Sequence, residues 1–187
     1  MKISQTSKAF PPIYPNPDKF LGGSTHLRSL SLTGIPIPNL PKILLSSTNL
    51  VDLRLKSIPH YGYFSPDAMV TALSALTRLK ILHFEPNYSA RPNDPNWEHP
   101  SSLLTRTVLP SLTVLDFSGY NEEFVARIDT PLLDYFHTAF VVPDFNTNCP
   151  QVVQFISRIP NFQAPDKAHI VVDTKSYNLR IKFSWSK

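Results

Sequence analysis

Three residues that could bind a metal or transfer a proton share one position of a repeated six-residue motif. They are His83, Asp116 and His137, in the segments LKILHF, LTVLDF and LDYFHT. Two imidazoles and a carboxylate are suitable ligands for a transition metal, and the same groups can act as an acid and a base. If the motifs form neighbouring strands, these side chains lie about 4.8 Å apart in one row. A metal site or an acid–base pair is therefore one hypothesis, and a polar surface with ordinary hydrogen bonds is the other.

The rest of the sequence favours the polar surface. No fourth ligand and no nucleophile is placed beside the row, and the six histidines are scattered along the chain. The sequence contains no glycine-rich phosphate loop, no GxSxG and no HExxH motif. We therefore expect no catalytic residue, no metal and no cofactor, and we expect that the chain is not an enzyme.

The motif that positions the row has apolar residues at its first, fourth and sixth places. LRSLSL begins at residue 27, and further copies begin at residues 50, 79, 112 and 133. We interpret each hexad as a short strand whose second, third and fifth residues face outward. A single strand leaves its backbone edges unpaired, whereas parallel stacking pairs them and extends one leucine column. Because the spacing between copies varies, the pattern predicts an irregular leucine-rich-repeat solenoid.

Parallel strands require crossover connections, and the segments between the hexads can supply them. In SPDAMVTALSALTR, Ser65 suits a helix N-cap and Pro66 suits the first helical position. Shorter helices are predicted in NLPKILLSST, NEEFVARI and CPQVVQFISRI, and a long loop in the proline-rich segment 85–102. The predicted fold class is therefore α/β, with short parallel strands and helical or loop crossovers.

We divide the chain into three parts. Residues 1–20 form a proline-rich segment and a possible cap, and residues 21–164 form the repeats. Residues 165–187 are predicted to form a strand pair or cap, because apolar residues alternate at Leu179, Ile181, Phe183 and Trp185. Since the ends of a solenoid need caps, we expect one of two outcomes at the first strand. Either it is covered by Phe10, Ile13, Tyr14 and Phe20, or the chain is unstable or self-associates at that edge.

Composition and charge narrow the classes of partner. The net charge is only +4 and no dense basic run occurs, so we expect no nucleic-acid partner. The chain has no run of 18 apolar residues and no signal-peptide pattern, so we expect no membrane partner and a cytoplasmic or nuclear location.

Cys149 is the single cysteine and is expected to be buried or to cap a helix. His60 is expected to pack against neighbouring aromatic rings, with an aromatic contact patch as the alternative.

Longer stretches of the sequence resemble the leucine-rich-repeat region of F-box proteins from mushroom-type (basidiomycete) fungi. The resemblance covers residues 20–170, and LVDLRL, IPHYGYFSPDAM and RIDTPLLD carry it. It implies an N-terminal F-box that binds a Skp-type adaptor of a cullin ubiquitin ligase, and repeats that hold the target. No F-box precedes the repeats in this sequence. We therefore expect the repeat part of a larger protein, a shortened paralogue or a truncated gene model.

These observations lead to one expected function and two alternatives. We expect a protein-binding module that serves as the target-recognition part of an F-box-type ubiquitin ligase adaptor. The alternatives are a repeat fragment or scaffold without a ligase role, and an enzyme that uses the row of histidines and aspartate. A Skp-type adaptor is an expected partner only if an F-box exists upstream, and the sequence does not name the target protein. The expected contact residues are Arg54, His83, Asp116, Tyr135 and His137.

Overall fold

The computed structural model is a mixed α/β structure built around a seven-stranded, mostly parallel sheet. It describes residues 26–34, 40–58, 66–86, 106–119, 123–141, 150–163, 167–173 and 178–184. The strands are β1 Ser29–Thr33, β2 Asp52–Ile58, β3 Ile81–Pro86, β4 Thr107–Val108, β5 Val114–Gly119, β6 Ile128–Asp129, β7 Tyr135–Val141, β8 Lys167–Asp173 and β9 Asn178–Ser184. The α-helices are α1 Leu40–Ser46, α2 Pro66–Ser74, α3 Glu123–Ala126 and α4 Pro150–Arg158, and a 3-10 turn follows at Pro160–Gln163.

The five hexads form five adjacent parallel strands, β1, β2, β3, β5 and β7. Their register aligns equivalent positions, so the fourth residues make one column of Leu30, Leu53, Leu82, Leu115 and Phe136. Leu30 lies at the edge and is 8% exposed, whereas the other four are fully buried. The parallel arrangement predicted from the hexads is confirmed. Burying each such leucine contributes about 1.5–3 kcal/mol to stability.

The start of each strand is fixed by a repeated pair of backbone hydrogen bonds. The amides of Val51 and Asp52 both donate to the carbonyl of Arg28, over 2.8 and 3.1 Å. The same pairing recurs where β3, β5 and β7 begin. Each strand therefore starts level with its neighbour, and side chains just before the strands also line up along the sheet edge.

The helices cover one face of the sheet. Apolar residues of α1, α2, α3 and α4 belong to the same buried cluster as the strand leucines. Pro66 begins α2 and Pro150 begins α4, the position where proline is best tolerated because the first helical amides need no partner within the helix. The crossover helices predicted between the hexads are present. The third and fifth hexad residues lie on the opposite face of the sheet, which the helices do not cover.

A second, two-stranded parallel sheet joins the connections on the helical side. Strand β4 pairs with β6, and the amides of Thr107 and Leu109 donate to carbonyls of Arg127 and Asp129 over 2.8 Å. The guanidinium of Arg158 on α4 contacts the Asp129 carboxylate over 2.9 Å. Sequence patterns do not predict this sheet, because strands of two residues are too short to show any alternation.

The C-terminal segment adds two strands to the main sheet. Strand β9 lies antiparallel between β7 and β8, so the sheet order is β1-β2-β3-β5-β7-β9-β8. Ile181 and Phe183 on β9 pack against the core, whereas the side chains at 167–171 on β8 are exposed. The alternation in this segment thus corresponds to a strand with one buried face.

Several sequence expectations lie outside the described residues. These are the cap at 1–20, Ser65, the packing of His60, the loop beyond Pro86, the role of Cys149 and the position of Trp185. Within the described ranges, none of the helices has the length and apolar content needed to cross a bilayer.

Candidate protein-contact surface

The candidate site is the face of the main sheet that the helices do not cover. We call it the polar face and define it by the third and fifth residues of each hexad. The register places Arg54 beside His83, His83 beside Asp116, and Asp116 beside His137 on successive strands. Tyr135 points to the same face, because it lies two residues before His137 on β7. The structure therefore brings all five predicted contact residues onto one surface.

Asp116 joins two histidines from neighbouring strands. One carboxylate oxygen, Oδ2, lies 3.1 Å from Nδ1 of His83, and the other, Oδ1, lies 2.9 Å from Nδ1 of His137. An ionised carboxylate can only accept hydrogen bonds, so each imidazole must carry a hydrogen on Nδ1. Asp116 thereby selects the same ring orientation and tautomer for both histidines. When neutral, each ring keeps Nε2, on the far side from the carboxylate, as an acceptor.

The two histidines also keep Asp116 ionised. Partial burial of this carboxylate would raise its pKa, but hydrogen bonds and charge attraction from His137, and then from His83, outweigh burial and lower the pKa. The side chain of Asp116 is about one-third exposed, at 32%. The cluster is therefore a fixed hydrogen-bonding unit at a surface and not a buried charge.

The geometry of the cluster bears on the metal and acid–base hypotheses. Both oxygens of Asp116 accept Nδ1–H groups, so the carboxylate is engaged by the histidines themselves. Among the residues that the structure describes, no group of three or more His, Cys, Asp or Glu side chains could hold a metal ion. A His–Asp contact also orients imidazoles in hydrolytic enzymes, where it serves a nucleophile within hydrogen-bond reach. Here one carboxylate orients two imidazoles from neighbouring strands.

Arg54 is on the polar face but contacts a different acid. Its Nε lies 3.0 and 3.2 Å from the two oxygens of Asp52, and its second terminal nitrogen lies 3.1 Å from one of them. Asp52 is two residues earlier on the same strand, and its hydrogen bonds and negative charge raise the pKa of Arg54. The Arg54–Asp52 pair is therefore a separate, partly exposed unit beside the histidine cluster.

Tyr135 contacts a residue that the sequence reasoning missed. The Nζ atom of Lys182 on β9 lies 5.4 Å from the centre of the Tyr135 ring, within the range of a cation–π interaction. Burial, and then the negative charge of Asp116, raise the pKa of Tyr135. The phenol therefore stays neutral and keeps its hydroxyl hydrogen as a donor. Alternation along β9 indicates that Lys182 faces away from the core, but pairing with β7 is a tertiary contact with no local signal.

The row of fifth positions continues onto the last two strands. Lys182 pairs with His137, and His169 on β8 pairs with Lys182. At about 4.8 Å per strand, seven strands span roughly 29 Å. Along this row, cationic and acidic groups alternate with imidazoles rather than forming a patch of one sign. The row comprises Ser31, Arg54, His83, Asp116, His137, Lys182 and His169.

Fold and site together define a class: a mixed α/β sheet protein with one helical face and one polar face of mixed charge. Comparison of the chain with protein-family models, with curated proteins and with solved structures finds no match. The relationship to F-box repeat proteins therefore stays a prediction from sequence resemblance.

Asp116→Asn is expected to lower the free energy of unfolding by about 1 kcal/mol near neutral pH, because two charge-assisted hydrogen bonds at a partly exposed site are lost. Since the folded state lowers the pKa of Asp116, its carboxylate stabilises the fold above the usual aspartate range, and this contribution is lost as the pH falls through the lowered value. The difference between wild type and variant should therefore shrink in acid. Urea unfolding at a series of pH values measures it.

Asp52→Asn provides the matched control for this prediction. It makes the same chemical change on the same face, but at a carboxylate that contacts Arg54 and not two imidazoles. Asp52 contacts a single side chain, that of Arg54, which is 42% exposed. We therefore expect a smaller loss, within the range of surface ion pairs, although Asp52 itself is only 20% exposed. A loss in Asp116→Asn that is no larger than in Asp52→Asn, or that stays constant into acid, would contradict the proposed double hydrogen bond.

Proposed function

We propose that this chain is a leucine-rich-repeat module that binds a protein through its polar face. The observation that carries the proposal is the common register of five hexads, which puts apolar residues in buried columns and chemically varied residues in outward rows. A continuous, ordered face of this kind is typical of repeat proteins that bind other proteins. In this proposal the strands and crossovers form an irregular solenoid of about five repeats.

The chemistry of the polar face supports a protein as its partner. Protein interfaces are enriched in aromatic residues and arginine and use hydrogen bonds at their polar rims. Tyr135 offers a large ring beside the ammonium group of Lys182, and an aromatic side chain loses little conformational entropy on binding. His83 and His137 are held by Asp116 before a partner arrives. These groups are the ones that we expect to contact the target.

The finer proposal is that the target belongs to a ubiquitin ligase pathway, with the polar face as the recognition surface of an F-box-type adaptor. Sequence resemblance supports this role, and the expected contact residues are Arg54, His83, Asp116, Tyr135 and His137. In the same proposal, a Skp-type adaptor is a partner only if an F-box exists upstream of the repeats. A repeat scaffold without a ligase role is the rival, since it would use the same face. An enzyme that uses the row of His83, Asp116 and His137 is the least favoured hypothesis.

Site-specific crosslinking tests the use of the polar face. A photo-reactive amino acid at Ser31 lies at the exposed end of the row, whereas the same group at Thr71 lies exposed on α2, on the helical side. We expect Ser31 to crosslink a discrete protein in cells that express the chain naturally, and Thr71 not to capture it. Tyr135→Ala should reduce the crosslink about tenfold, because aromatic residues at interface centres commonly contribute more than 1 kcal/mol.

Two outcomes would count against this use of the face. One is equal capture from Ser31 and Thr71, and the other is an unchanged yield in Tyr135→Ala with its unfolding curve intact. The ligase role needs a separate measurement. The 187-residue chain is expected not to bind a purified Skp-type adaptor, whereas a longer product that includes an upstream F-box should bind it. Direct binding of the adaptor by the repeats alone would contradict the proposal that an F-box, and not the repeats, binds the adaptor.

A further inference from the structure

A cleft of about 530 Å³ lies at the edge of the main sheet where the parallel strands begin. It is distinct from the polar face, because its side chains come from residues just before the strands. Arg28 and Lys80 immediately precede β1 and β3, and Arg78, Asn49 and Ser111 come from the turns beside them. The sequence analysis did not single out these residues, because they belong to separate repeats and the second hexad position of Arg28 and Lys80 is not basic in the other copies.

The cleft is strongly cationic. Arg28, Arg78 and Lys80 line it together with His26, and no carboxylate is among the described residues that line it. All four side chains are exposed. One terminal nitrogen of Arg78 donates to the Asn49 side-chain oxygen over 2.9 Å, a contact that orients the guanidinium without neutralising it. Three permanent positive charges thus face one volume.

Nearby acceptor groups are already in use. The carbonyls of Arg28 and Lys80 each accept two backbone amides, and the Ser111 hydroxyl donates to the Thr77 carbonyl over 2.7 Å. The acidic residue in the same row of second hexad positions is Asp134, which stands two strands beyond Lys80. Asp134 is not among the residues that line the cleft. Asp134 also accepts a hydrogen bond from Asn161 over 3.2 Å. The cationic side chains therefore face the cleft with no carboxylate among its described lining residues to compete for them.

We propose that this cleft binds a phosphate group. A phosphate monoester brings nearly two negative charges and three acceptor oxygens, which match three cations better than a single carboxylate does. The two guanidinium groups can each donate two parallel hydrogen bonds to phosphate oxygens, and Lys80 supplies a point charge. The phosphate can belong to a phosphorylated side chain of a bound protein or to a free small molecule, because both present the same chemistry. The site does not depend on the polar face.

Calorimetric titration of the full chain at low ionic strength tests the site, because salt screens exposed charges. The probes are inorganic phosphate, a short glycine-flanked phosphoserine peptide, the same peptide with serine, and the same peptide with glutamate. We expect phosphate or the phosphoserine peptide to bind, and the serine and glutamate peptides to bind at least about tenfold more weakly. Tighter binding of the phosphopeptide than of free phosphate would identify a protein segment as the source. Equal binding would identify a free phosphate compound.

Variants locate the binding in the cleft. Lys80→Gln is expected to weaken phosphate binding about three- to fivefold, and Arg78→Gln with Lys80→Gln about tenfold or more. The matched control is Lys42→Gln with Lys56→Gln, which removes the same charge from exposed positions outside the cleft. The proposal is overturned if both double variants lose affinity equally, if no probe binds, or if the glutamate peptide binds as well as the phosphoserine peptide. Unfolding curves of all variants establish that the fold is retained.

Discussion

Leu82→Ala is expected to lower the free energy of unfolding by about 2–5 kcal/mol, which is a large part of the stability of an ordinary domain. Leu82 is fully buried at the centre of the leucine column, with Leu53 on one side and Leu115 on the other. Truncation removes buried methyl groups and leaves a cavity that neighbouring strands cannot close, since their register is fixed by backbone pairing. Urea unfolding followed by circular dichroism measures the change.

Leu45→Ala is the matched control for this truncation. It removes the same atoms, but Leu45 lies on α1 with 46% of its surface exposed. Alanine also favours the helix, so we expect a loss below about 1 kcal/mol. Equal losses at the two positions would show that the leucine column is not the packed centre of the fold. That outcome would remove the physical basis of the outward rows, because their alignment depends on the same register.

The hexad pattern was informative because one strand period controls two properties at once. Alternation decides which residues are buried, and equivalent burial in neighbouring strands decides the register. Leu53, Leu82 and Leu115 could therefore be placed side by side from spacing alone, and the outward residues between them followed. The fifth copy is the exception. Thr138 takes the place of an apolar sixth residue, is fully buried, and has a hydroxyl without a hydrogen-bond partner among the described residues.

The contacts within the site were less predictable than its location. Position alone favours Arg54 beside His83, yet the guanidinium turns to Asp52 on its own strand. Such choices depend on rotamers and on the distances of competing acceptors, which a linear pattern does not contain. The same limit applies to Lys182 and to the basic cleft. Both arise from chain segments that meet only after the sheet has formed.

Phe136→Ala is expected to destabilise the chain by about 3–5 kcal/mol, the largest effect that we predict for a single residue. The Phe136 ring on β7 is fully buried, and its centre lies 5.2 Å from that of Phe155 and 6.2 Å from that of Phe162. Phe162 in turn stacks on Phe183 of β9 at 5.6 Å. The ring therefore joins α4 and the C-terminal strands to the repeats. Chemical unfolding and amide hydrogen exchange measure the loss.

The expected exchange pattern distinguishes this aromatic cluster from an ordinary core site. Without the Phe136 ring, amides of β7 and β9 should exchange faster than those of β2 and β3, because local opening follows the weakest packing. Val153→Ala, at a position on α4 that is 63% exposed, should leave the pattern unchanged. Uniform acceleration in all strands would contradict this prediction, because it would show that β7 and β9 open only together with the rest of the sheet. Since Tyr135 and Lys182 lie on β7 and β9, Phe136→Ala should abolish binding by opening the polar face, whereas Tyr135→Ala should weaken it in a folded protein.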